Sequence, residues 1–284
     1  MATALPILER GDGAADIDFI YAPDERGGGR TRLSDLYQRA PCRVLTPREE
    51  PGDLPQAVLL TTSGGLADGD RIAIDLRVGE GASALVTSQA AEKIYGARLA
   101  APATIRVGLT VEAGAWCEWL PQETILFEGA RLDRRTVADV APGGRLLACE
   151  FVVFGRLAHG ERFGTGLLHD GWDLRRAGKL VWKDALRLDG DFAGRIDSPY
   201  GFAGAEASAM VVYVADDAPG YLQAARALLE ASEARCAATV VNGLLIVRWF
   251  GAASAVRRSL TVYLAAFRAV AAGLPARLPR VWSC

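Results

Sequence analysis

The chain has 284 residues, half of them apolar, 23% charged and a formal net charge of −2, the signature of a folded globular protein and not of a disordered or collagen-like one. A fold of this length buries roughly 75% of its unfolded surface. The near-neutral charge gives no general reason to expect nucleic acid as a partner. Arg26, Arg30, Arg32, Arg39, Arg43 and Arg48 form a local basic stretch, which without an accompanying binding motif reads as a solvated or ion-paired surface.

In chain order, residues from Ala15 to about Gly190 read as strands, with turn signals every eight to twelve residues. Val78-x-x-Gly81-Ala82, Val111-x-x-Gly114-Ala115 and Val140-x-x-Gly143-Gly144 form a weak internal repeat, each placing a glycine turn between two strand patterns. Each copy could be one rung of a β-helical body or one hairpin of a layered sheet, and the pattern favours an elongated, mostly antiparallel structure. Ser63–Asp70, glycine-rich and acidic, reads as a tight connection between strands at Ala57–Thr62 and Arg71–Val78, since one copy does not make a calcium solenoid.

The last third changes character. Tyr221, Ala225, Leu228 and Leu229 mark a short amphipathic helix, and Asn242-Gly243 between two β-branched runs signals a two-residue hairpin. Val256, Leu260, Tyr263, Leu264, Phe267, Val270, Ala271 and Leu274 then keep helical spacing, with Ser254 as N-cap and Gly273-Leu274-Pro275 as stop. The expected fold class is therefore mainly β (α+β), β-helix-like or layered antiparallel, with two amphipathic helices in the C-terminal third. One domain is expected over 1–284, with a β-rich body at about 15–215 and a helix–hairpin–helix region at about 219–274.

Cys42, Cys117, Cys149, Cys236 and Cys284 are odd in number and widely spaced, without CxxC, and Met1–Arg10 carries no charged-then-apolar leader. Reduced thiols in the cytoplasm follow as the expectation. The longest apolar run contains Arg268 and is amphipathic, so no membrane span is expected.

Three acids each interrupt an apolar strand face. Side chains two apart share a face, which groups Trp119, Pro121, Glu123, Ile125 and Phe127; Leu146, Ala148, Glu150, Val152 and Phe154; and Leu180, Trp182, Asp184, Leu186 and Leu188. A lone ionised carboxylate in an apolar setting is strongly disfavoured. These positions imply buried ion pairs, a wet acid-lined interior, or a paired-carboxylate active site such as that of a carbohydrate hydrolase. Other enzyme classes lack support. His159 and His169 form no zinc or cupin pattern, no G-x-S-x-G elbow occurs, and Gly27-Gly28-Gly29-Arg30-Thr31 lacks the GK[ST] ending of a phosphate loop.

Several stretches together resemble the urease accessory protein UreD family, called UreH in some organisms. They are Gln89-Ala90-Ala91-Glu92-Lys93-Ile94-Tyr95, Trp119 through Ala130, Gly155-Arg156 with Gly160-Glu161, the Ser63–Asp70 turn, Arg30–Leu33 with Leu36-Tyr37-Gln38, and Pro279-Arg280-Val281-Trp282. The resemblance runs in order through nearly the whole chain. It implies a non-enzymatic scaffold with no intrinsic cofactor, working in the cytoplasm with UreF and the GTPase UreG. Together they deliver Ni2+ in transit to the urease apoenzyme through a water-filled passage, in a complex that could dimerise. Under this resemblance Glu150 and Asp184 match acidic positions of the passage, and Glu118 and Glu123 lie in the matching strand motif. Arg156 and Glu161 match the Gly-Arg and Gly-Glu signature, as passage or structural pair. The chain departs from the family in carrying Thr61-Thr62-Ser63 where a His-Pro sequence is common, Asp68 where glycine is frequent, and Cys284 where a small polar residue is usual.

Overall fold

A computed structural model describes residues 11–23, 28–97 and 101–283. The leader reading at Met1–Arg10, Arg26, Gly27 and Cys284 fall outside the described residues. In chain order the strands are β1 (Asp12–Pro23), β2 (Gly29–Arg39), β3 (Cys42–Leu45), β4 (Gln56–Thr61), β5 (Arg71–Val78), β6 (Ser83–Ser88), β7 (Glu92–Ile94), β8 (Ala103–Val111), β9 (Trp116–Leu120), β10 (Thr124–Leu126), β11 (Arg131–Val140), β12 (Arg145–Phe154), β13 (Thr165–Arg176), β14 (Lys179–Asp191), β15 (Ala207–Val214), β16 (Arg235–Val241) and β17 (Leu244–Gly251). The helices are α1 (Ala193–Asp197), α2 (Leu222–Ala227) and α3 (Ala253–Ala272).

Two sheets face each other. One has the order β14-β13-β11-β8-β5-β1-β2, the other β16-β17-β15-β12-β9-β6-β4-β3, with β7 and β10 attached beside β12. The glycine repeat makes the corners between them. Val78, Val111 and Val140 are register partners on parallel strands, all buried, and each precedes a turn that carries the chain into the second sheet. Gly81, Gly114 and Gly143 hold φ of 66°, 68° and 75°, a left-handed conformation that favours glycine. The result is β-solenoid-like, as the β-helix alternative expected. The favoured antiparallel pairing is corrected: the central ladders β1-β5-β8-β11-β13 and β4-β6-β9-β12 are parallel, and antiparallel pairs lie toward the margins. Side-chain alternation is the same in both kinds of ladder, so only the destination of each turn decides between them.

Two cores result. Ile17, Val107, Trp119, Leu146, Ala148, Val152 and Trp172 pack between the sheets. Leu147, Cys149, Phe151, Tyr213 and Trp249 pack on the far side of the second sheet, against Leu260, Tyr263, Leu264 and Phe267 of α3. With both faces covered, β12 is buried from Leu146 to Phe154, as its almost unbroken apolar sequence requires.

The C-terminal elements follow their sequence signals closely. Asn242 and Gly243 both have positive φ, 49° and 80°, the requirement of a type I′ hairpin turn. Gly273 ends α3 in the left-handed conformation. The N-cap position is Ala252 and not Ser254, and a carboxylate from elsewhere serves the helix start: Glu206 Oε2 accepts the Ala253 N–H at 3.0 Å. Val270 is exposed instead of joining the buried stripe. Among the described residues no helix is long and apolar enough to cross a membrane.

Candidate functional site

Glu150 lies on the face of β12 that meets the first sheet, as its alternation with Ala148 and Val152 dictates. Opposite it, Arg134 of β11 and Asp170 of β13 are register partners on adjacent parallel strands. The Arg134 guanidinium reaches both acids. Its Nε lies 2.6 Å from Glu150 Oε1 and donates to Asp170 Oδ1 at 2.9 Å, while a terminal nitrogen lies 2.5 Å from Asp170 Oδ2. The other terminal nitrogen donates to Thr124 Oγ1 of β10 at 2.8 Å, and the Trp172 indole N–H donates to Glu150 Oε2. Arg134, Glu150 and Asp170 are each more than nine-tenths buried.

The electrostatics follow from that crowding. Burial pushes Glu150 up; Arg134 draws it back and Asp170 raises it again, leaving it above the usual carboxylate range. For Arg134 burial acts downward, but the two carboxylates outweigh it and secure its charge. Two acids and one guanidinium make a junction short of one positive charge, and full ionisation is accordingly disfavoured at Glu150.

Glu150 borders two cavities. One, of about 330 Å³, is lined also by Glu92, Trp119, Thr124, Arg134 and Thr136. The other, of about 90 Å³, is lined by Glu150, Asp170, Trp172, Asp184, Met210 and Arg248. Both are large enough and polar enough to hold water. Asp184 is the register partner of Trp172 on β14 and pairs with Arg248 of β17 at 2.6 Å. The structure therefore brings Glu150 and Asp184 to one shared space. In the larger cavity Glu92 accepts the Thr61 hydroxyl at 3.1 Å, and burial pushes its carboxyl up to about 7 despite that hydrogen bond.

Glu118 and Glu123 are not brought there. Glu118 points to the helix side of β9, where Oε1 accepts the Trp116 indole N–H at 3.0 Å and the Arg268 guanidinium lies 3.1 Å from Oε2, with Asp53 on the same arginine. Glu123 pairs with Arg257 of α3. The strand-face grouping of Glu123 with Trp119 is corrected by the break at Pro121–Glu123. Trp119 belongs to the core between the sheets, whereas Ile125 packs on the helix side and Thr124 turns inward to Arg134. Arg156 and Glu161 form a partly exposed ion pair, with Arg156 over the Phe127 ring at 4.5 Å and Glu161 accepting the Glu128 N–H at 2.8 Å.

Sequence reasoning passed over Arg134, Asp170 and Trp172. The signal was present: Leu132, Arg134, Thr136, Ala138 and Leu168, Asp170, Trp172, Leu174 are strand faces interrupted by charge just as the three acids interrupt theirs. His169 Nδ1 lies 3.0 Å from Asp133 Oδ1, partly exposed. Asp70 closes its turn by accepting the Ala67 N–H at 2.8 Å and ties it to the residue before β1 by accepting the Gly11 N–H at 2.7 Å. Among the described residues no three His, Cys, Asp or Glu side chains gather to hold a metal ion.

Fold and site define a β-solenoid-like protein whose buried charges line two adjoining pockets. The family described as UreD urease accessory protein matches residues 13–283. The chain is 42% identical over 259 residues to the urease accessory protein UreD of Magnetococcus marinus, covering 89% of each chain. It is 43% identical over 256 residues to that of Azorhizobium caulinodans (90% of this chain, 92% of the relative), and 44% identical over 257 residues to that of Xanthobacter autotrophicus (90% and 86%). This chain belongs to the UreD urease accessory protein family.

Proposed function

We propose that the protein is a non-catalytic cytoplasmic component of urease maturation, which with UreF and the GTPase UreG passes nickel to the urease apoenzyme. Nickel is cargo in this reading and no resident cofactor is invoked. The observation that carries it is the position of Glu150 on both pockets, with Asp184 bordering the second. Carboxylate oxygens across a hydrated space attract a hydrated dication without enclosing it, unlike a closed nitrogen or sulfur cage. Against the carbohydrate-hydrolase alternative stands Arg134, which ties Glu150 and Asp170 together where a substrate would have to enter.

The test is urease activity in cells co-expressing the accessory proteins with limiting nickel. Glu150→Ala still leaves Arg134 paired with Asp170, so no buried charge is orphaned and the variant is expected to fold and to co-purify with UreF. Glu150→Ala and Asp184→Ala should each lower activation several-fold, and the double variant more. Full activation by the double variant would sink the passage. Loss of soluble protein in both single variants would instead favour ion pairs of purely structural worth.

A further inference from the structure

The two pockets share Glu150 as a lining residue. Arg134 lines the larger, Asp170 the smaller and Glu150 both, and the guanidinium binds both acids. The clamp therefore stands at the junction. Every polar group in it is partnered: Thr124 takes the remaining Arg134 nitrogen and Trp172 takes the second Glu150 oxygen. A junction of two bare carboxylates would be a poor conduit. Two acids close enough to share one guanidinium would both ligate a divalent cation and hold it.

We propose that Arg134 is a built-in counter-cation gate, which closes the junction at rest and keeps the passage from trapping its cargo. A dication arriving at Glu150 competes with the guanidinium for the same oxygens. When it moves on, the guanidinium returns and expels any ion that lingers. The fork geometry matters, because one planar group meets Asp170 with two nitrogens and Glu150 with the same edge. A lysine ammonium offers one point charge and releases at least one acid. This inference rests on the passage reading and adds to it a reason for the arginine.

The experiment measures nickel retained by purified full-length protein after equilibrium dialysis against NiCl2, comparing wild type, Arg134→Gln, Arg134→Lys and Arg134→Gln/Glu150→Gln. Arg134→Gln should bind one Ni2+ per chain at least tenfold more tightly than wild type, Arg134→Lys several-fold, and the double variant no more tightly than wild type. In co-expression, Arg134→Gln should activate urease poorly at limiting nickel and recover at excess, once the trap is filled; a folding defect would not respond to nickel. Should Arg134→Gln be insoluble, Arg134→Lys carries the same test. Nickel retention equal to wild type in whichever variant folds overturns the gate. If that happens while Glu150→Ala and Asp184→Ala still impair activation, the passage survives without its gate. Full activation by those two variants removes the passage itself.

Discussion

Arg268→Met is expected to destabilise the protein severely, at a site with no part in the cavities. Arg268 is 0% exposed, Asp53 3% and Glu118 0%, measured on their side chains. The guanidinium donates to Asp53 at 2.7 Å, to Glu118 at 3.1 Å and to the Arg277 carbonyl at 2.5 Å, so it also holds the tail that follows α3. Methionine fills much of the same space but leaves the buried Glu118 carboxylate without its cation, and Asp53 with only the half-exposed Arg277 at 3.5 Å. Breaking a buried ion pair by removing one partner costs about 3–5 kcal/mol. At roughly 2 °C per kcal/mol for a chain of this size, Tm should fall by roughly 6–10 °C. Urea titration should show a lower midpoint at unchanged slope. The triple variant Asp53→Asn/Glu118→Met/Arg268→Met should recover most of the loss, since no charge is then left alone.

The pH dependence has a definite sign. Burial pushes Glu118 up even with Arg268 present, and without the arginine its ionised form is penalised further wherever the unfolded chain ionises. Burial acts upward on Asp53 too, but the Arg268 and Leu54 hydrogen bonds prevail and hold it below its ordinary value, a stabilisation that is lost as pH falls. The Glu118 effect makes the gap between wild type and Arg268→Met narrow as pH drops from 7 toward 5, and the Asp53 contribution is lost only below its ordinary value of 3.8. A loss under about 1 kcal/mol at pH 7, or a gap that widens in acid, would falsify the account of this triad as a dry, mutually dependent ion cluster.

Two other outcomes are expected. Glu92, held at about 7, ionises in the unfolded chain near 4.5, so its burial disfavours the native state increasingly from pH 4.5 to 7 and by a constant amount above. Glu92→Gln should therefore gain about 1–3 kcal/mol on wild type at pH 8 and nothing at pH 4, a range discounted for its partial exposure; a pH-independent difference in thermal unfolding would contradict this. Gly155→Ala should be far more damaging than Gly81→Ala. At Gly155 a Cβ would lie 2.2 Å from the Glu161 carbonyl oxygen with φ at 117°, whereas at Gly81 nothing lies within 4 Å and only the left-handed backbone costs, about 1 kcal/mol. Equal shifts in urea midpoint would show that the close approach at Gly155 relaxes freely.

How far the sequence could be read varies element by element. The Asn242-Gly243 turn and the Gly273 stop were legible because each depends on local backbone conformation. The face on which Glu150 lies was legible because β12 is one unbroken strand, so period-two counting holds along it. Glu123 was misassigned because the same counting was carried across Pro121, where the strand pauses and the faces exchange. Glu118 carried the family motif yet faces the helix core, since adjacent strand positions point to opposite sides of one sheet.

By itself the sequence determined that charges sit on otherwise apolar strand faces, that glycine corners recur, and that a helix covers the C-terminal end. It also determined the family, through motifs spread in order along the chain. Only the tertiary structure decided which charges meet. Arg134 and Asp170 are 36 residues apart and become neighbours through the register of two parallel strands, while Glu150 reaches them from the opposite sheet. Periodicity reports the side of a strand on which a residue lies. What lies across from it depends on where each glycine corner sends the chain, and that is set by packing over the whole solenoid.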